Sequence, residues 1–215
     1  GTSIFDENGH IEQLRELLEY LNLTSKPYHL IGHSMGGAIA SLYANKYSNE
    51  IASLTLLSPA GLMNLHVVKF LRSCRCLHGC VRSMLQNGQE KAWRDDFYNH
   101  NTEIENESLE IMRNIYSIHP EVFEGFWLSV LNFPLYGLDE SINSLGKNHH
   151  IKILLLWGRN DLAVPFSPCF DNWVNTFKRN NHPSIETKVY DNASHGFFIE
   201  YHEVVNKDIL QFLSQ

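Results

Sequence analysis

Long apolar runs are missing from this 215-residue chain. Crossing a bilayer as a helix takes about 20 consecutive apolar residues; no stretch approaches that, so the visible chain is expected to be soluble, with no transmembrane segment. A basic face is missing too. Lys and Arg number 17 against 24 Asp and Glu, and the net charge of -7 is offset by no basic run. That argues against nucleic acid and anionic membrane surfaces as main partners. No signal segment opens the chain. Cysteine is sparse, four in all. Cys74, Cys76 and Cys80 fall close to His78, but without paired C-x-x-C knuckles or a second half-site, so neither a metal nor another cofactor is expected. Free thiols fit a reducing, cytoplasmic setting. The glycosylation acceptor Asn192-Ala193-Ser194 leans the same way, because a glycan there would crowd a site using His195. What remains, 43% hydrophobic and 19% charged residues, describes one globular domain with room for an inserted subdomain.

The most informative stretch is Gly32-His33-Ser34-Met35-Gly36-Gly37. A serine between glycines, directly after an apolar run (Tyr28 to Ile31) and before an alanine-rich one (Ala38 to Tyr47), has the layout of a nucleophile elbow. A strand-to-helix turn that sharp strains the serine backbone and leaves no space for side chains two residues to either side, so Gly32 and Gly36 are both expected to be required.

Strand and helix patterns alternate around the elbow. Ile11, Leu14, Leu17, Leu18 and Leu21 recur at helical spacing, predicting an amphipathic helix over 10–21. Ile51 to Leu57, residues 151–157 and Ser184 to Tyr190 read as further strands, with helices over 166–179 and 198–213. Such alternation predicts an α/β fold, a mostly parallel sheet covered on both faces. The rhythm breaks between Gly61 and Lys147, which reads as helices rich in large apolar groups: Phe70, Leu71, Trp93, Phe97, Phe123, Phe126, Trp127, Leu131 and Phe133. The expected division is a core of residues 1–61 and 148–215 and a helical cap of 62–147 that roofs the site and lends some aromatics to an acyl pocket.

A serine hydroxyl needs a base within reach and an acid to orient that base. Among twelve histidines, His195 follows the fourth strand on a loop and precedes Gly196 and an apolar helix, at the sheet edge where open α/β folds bind ligands. His33 adjoins the serine and is expected to point elsewhere. His149 and His150 fall at the opposite end of the third strand, and His202 on the outer face of the last helix. For the acid, Asp161 follows the third strand and Asp191 is held in reserve. No carboxylate follows the second strand at 58–61.

Ser34, Asp161 and His195, in that order on separate loops, resemble the α/β-hydrolase superfamily, and within it lipases and esterases of the monoglyceride-lipase kind, which commonly carry the same G-H-S-M-G-G elbow. The resemblance covers nearly the whole chain. It implies a serine hydrolase acting on a carboxylic ester, a small molecule or lipid monoester, with the Met35 backbone N–H holding the oxyanion. In that superfamily four strands and a second oxyanion donor precede everything seen here, and Gly1-Thr2-Ser3 resembles the tail of the stretch after the fourth strand. The expectation is therefore a partial chain, weakened about 100- to 1000-fold by the missing donor. It would also have a bare elbow-strand edge, open to self-association or to a missing amino-terminal segment. A carbon-carbon bond hydrolase using the same three residues and a ligand-binding member of the fold remain open alternatives.

Overall fold

The structure, a computed structural model, describes residues 4–63 and 73–215; Gly1, Thr2, Ser3, Phe70 and Leu71 lie outside the described residues. In chain order the elements are α1 (Glu7–Tyr20), β1 (Tyr28–His33), α2 (Met35–Lys46), β2 (Ile51–Leu57), α3 (His78–Asn87), α4 (Gln89–Asp95), α5 (Glu103–Ile118), α6 (Glu121–Asn132), α7 (Asp139–Leu145), β3 (Lys152–Gly158), α8 (Phe166–Arg179), β4 (Ile185–Tyr190), α9 (Phe197–Glu200) and α10 (His202–Leu213). Among the described residues no helix is long and apolar enough to cross a membrane.

The four strands form one parallel sheet in the order β1-β2-β3-β4. Leu54 and Leu56 of β2 and Ile153, Leu155 and Trp157 of β3 share a core with Leu145 of α7 and Trp173 and Phe177 of α8. The alternate residues Leu57, Leu154 and Leu156 pack on Phe197 of α9 and Val205, Ile209 and Phe212 of α10. Strands buried on both faces explain why β2 and β3 read as unbroken apolar runs.

Register sets the site. His33 lies opposite Leu57, Leu57 opposite Leu156, and Gly158 opposite Tyr190. Parallel strands in this register end together, so Ser34, Ser58, Arg159 and Asp191 emerge along one edge. At the side of the sheet, among the described residues, β1 pairs only with β2. An open groove of about 410 Å³ follows its free flank, lined by Leu14, Leu17, Leu30, Ile31, Ile39 and others.

Two boundaries differ from the periodicity. α1 starts at Glu7 rather than His10, because the Asp6 carboxylate accepts from the Gly9 N–H at 2.9 Å and caps the helix earlier. The helix expected over 198–213 is broken at Tyr201 (φ -114°, ψ 35°) into α9 and α10.

Candidate active site

Ser34 sits between β1 and α2 at φ 55°, ψ -123°, a left-handed conformation costly for any residue with a side chain. The surroundings enforce it: the Ser34 N–H donates to Leu57 O at 2.9 Å, and its carbonyl accepts from Gly37 N (3.0 Å), Ala38 N (3.3 Å) and Ala60 N (3.0 Å). Met35 is the first helical residue, a position whose N–H has no intrahelical acceptor.

Only half of the glycine frame behaves as the motif implies. A Cβ on Gly32 would stand 2.4 Å from Gly36 O, which the turn cannot relieve. At Gly36, however, a Cβ would meet nothing within 4 Å among the described residues, whereas at Gly37 it would meet Pro59 Cβ at 2.8 Å. The requirement expected at Gly36 falls instead on Gly37, because the first turn of α2 leans on the Ser58-Pro59 loop. Gly32→Ala should therefore abolish ester turnover, while Gly36→Ala should leave turnover intact and the thermal midpoint equivalent to a change within about 0.5 kcal/mol. Parallel rate and melting measurements check this.

The structure brings Asp161 and His195 together. His195 Nδ1 lies 2.7 Å from Asp161 Oδ2, with the residues 5% and 3% exposed. The other carboxylate oxygen accepts from the Val164 N–H at 2.8 Å, and Trp157 Nε1 donates to Val164 O at 3.1 Å, tying the acid loop to β3. Asn160 N donates to Ala193 O at 2.8 Å, bracing that loop against the one carrying His195. Asp191, the reserve acid, is exposed and pairs with Arg159. Ser34 has no hydrogen bond to His195 among the described residues. Its neighbour His33 makes the connection to the histidine loop.

His33 was expected to point away from the site, yet its ring lies 4.3 Å from that of His195 and its Nε2 is 3.1 Å from His195 O. As the last residue of β1 it comes up beneath the histidine loop. A carbonyl only accepts, so His33 carries its proton on Nε2. Burial, and then the proximity of His195, push its pKa down from 6.5 to about 3; the hydrogen bond to His195 O and the Asp161 charge oppose this. The folded chain thus keeps His33 neutral where the unfolded chain would protonate it, so stability is full above pH 6.5 and falls as pH drops toward 3. Half-buried His10 and buried His182, also lowered, act with the same sign. We expect His33 to contribute up to about 1.4 kcal/mol per pH unit in that window. His33→Gln should flatten the acid limb of a melting-against-pH series, and equal slopes would refute the assignment.

A further acid faces the pair. Burial raises Asp96, just past α4, to about 6; His195 draws it down, while Asp161 and Asp95 push it up. The remaining histidines lie elsewhere: His149 contacts Asn180 O at 3.0 Å, exposed His150 contacts Ser48 O at 2.9 Å, and exposed His202 contacts Ile199 O at 3.2 Å. Cys74, Cys76 and Cys80 are unpaired thiols at the start of the helical segment. Of the aromatics in segment 62–147, Phe97, Phe123, Trp127 and Phe133 are buried and Phe126 is exposed; Trp93 Nε1 donates to Ser108 Oγ at 3.0 Å.

Ser34 and the Asp161–His195 pair thus emerge along one sheet edge, and the family model described as serine aminopeptidase, S33, matches residues 4–202. The chain belongs to the serine aminopeptidase S33 family. This S33 member has the α/β-hydrolase fold: a bromoperoxidase from Bacillus anthracis matches it with a TM-score of 0.72 and 18% identity, covering 99% of this chain and 76% of that one. The monoacylglycerol lipase abhd6-B of Xenopus laevis is 42% identical over 69 residues, 32% of this chain and 20% of the lipase. A 2-hydroxy-6-oxo-6-phenylhexa-2,4-dienoate hydrolase of Comamonas testosteroni is 30% identical over 146 residues, 64% of this chain and 47% of that enzyme. The matches therefore span about a fifth and about half of these relatives' lengths.

Proposed function

We propose that this hydrolase cleaves carboxylic esters, lipid monoesters among them, through an acyl-enzyme on Ser34. The observation that carries the reading is the buried Asp161–His195 hydrogen bond of 2.7 Å on the same sheet edge as a serine at φ 55°. In this mechanism Ser34 Oγ attacks the ester carbonyl carbon as its proton passes to His195 Nε2. Asp161 holds the Nδ1–H and stabilises the imidazolium. The Met35 N–H donates to the oxygen that becomes negative. Collapse of the tetrahedral intermediate expels the alkoxide, which takes the proton from His195 and leaves as alcohol. Water, deprotonated by His195, then hydrolyses the acyl-enzyme and restores the serine.

Residues 62–147 act in this reading as a cap over the core of 1–61 and 148–215, their apolar side chains giving the acyl group a dry surface. A nitrophenyl-ester series on the full chain tests it. Turnover should rise from acetate to longer acyl groups, and absence of turnover on every ester would end the reading. The resemblance to the Comamonas enzyme, the longer of the two alignments, supports a second reading, hydrolysis of a carbon-carbon bond by the same residues. A vinylogous diketone cleaved faster than any ester would favour it. The β1 edge, unpaired among the described residues, is a surface for pairing with another strand. Sedimentation of the 215-residue chain alone should show association, and a stable monomer would count against it.

A further inference from the structure

Between α4 and α5 the chain runs directly against the loop that carries His195. The Gly196 N–H donates to Asp96 O at 2.6 Å, and the Ser194 hydroxyl donates to Asp95 O at 2.9 Å. These two donors flank the histidine. Farther along, Glu200 closes α9 and accepts from the Tyr98 N–H at 3.0 Å, the Asn99 N–H at 2.8 Å and the Asn99 side-chain amide. That amide also lies 3.0 Å from Tyr201 Oη, whose hydroxyl donates to Asn192 O at 2.8 Å. The far end of the segment is held by fully buried Glu105, which accepts from the Asn101 N–H and faces His100 and Arg94 at 3.3 and 3.4 Å. The backbones meet too closely for a side chain between them: a Cβ on Gly196 would stand 2.9 Å from Asp96 O. Gly196 itself has φ -84°, open to any residue, so the contact and not the torsion calls for glycine.

We propose that segment 95–99 and loop 192–201 form one clasp, in which Glu200 is a positioning residue that holds His195 against Asp161 and toward Ser34. The proposal rests on the serine-hydrolase reading. After His195 the chain continues in a helix of four residues, too short to fix its own position. Phe197 anchors the apolar side of α9 in the core, and the clasp supplies the polar anchorage on its other side. A base displaced by about 1 Å costs about 100-fold in rate. The donors that Glu200 serves are exposed, so water replaces it and the fold survives its loss.

The test is Glu200→Ala in the full chain, measured on nitrophenyl acetate and nitrophenyl decanoate beside fluorophosphonate labelling of Ser34. We expect kcat to fall about tenfold or more on both esters by the same factor, with KM for the acetate unchanged and labelling slowed in proportion. A loss confined to the decanoate or to KM would mean that the segment only shapes the acyl pocket, and would overturn the clasp. So would rates within about twofold of wild type. Asn99→Ala, which removes the side-chain amide, should move the same readings in the same direction by less; if Glu200→Ala fails to fold, this variant decides by the same criteria. Wild-type protein that does not label at Ser34 would overturn the hydrolase reading itself, and the clasp with it.

Discussion

Ser34→Ala should lower ester turnover by about a millionfold, leaving only the rate that binding and the oxyanion donor provide. The size follows from the mechanism: without the hydroxyl there is no acyl-enzyme, and His195 and Asp161 have no proton to move. The variant should fold as wild type. Ser34 holds its place through its backbone N–H and carbonyl, which alanine keeps, and its side chain caps no helix. Steady-state kinetics with burst analysis checks this. Retention of even a hundredth of wild-type turnover would show that another group is the nucleophile.

Asp161→Asn should cost about 10⁴-fold in kcat with little change in KM. The asparagine can still accept from the Val164 N–H, now 2.8 Å from Asp161 Oδ1, so the loop keeps its shape. What it loses is the negative charge beside Nδ1. The imidazole is then free to take the wrong tautomer, and the imidazolium formed during attack has no counter-charge in a site where both residues are almost fully buried. Burial makes the loss large, because water cannot stand in for the carboxylate. A pH–rate profile with a melting curve separates this from unfolding. A loss under about tenfold would move the acid's role elsewhere, Asp96 being another carboxylate with an electrostatic interaction with His195.

The features legible in the sequence were those that physics writes locally. The elbow announced itself because a strained serine needs a glycine before it, and Gly32 meets that need. β2 and β3 were legible as apolar runs because both of their faces are covered. Asp161 and His195 could be picked out because each follows a strand at its carboxyl end, and parallel strands put such loops side by side.

What escaped depends on partners far apart in the chain. Gly36 and Gly37 look alike in sequence; which one is crowded depends on Pro59 lying across the turn. His33 lies against a ring 162 positions away, and the Asn99–Glu200 contacts span 101. Neither separation has any local period or composition to betray it. The break at Tyr201 was hidden for a related reason: α9 and α10 share an apolar face, so their periodicity reads straight through the kink.

The central claim is that Ser34 is a nucleophile activated by His195. Its most direct measurement is the reaction of the full chain with a fluorophosphonate probe, followed by peptide mass mapping. The account predicts one adduct, on Ser34, forming at a rate that collapses in His195→Ala. An adduct on any other residue, no adduct at all, or labelling indifferent to His195 would contradict it.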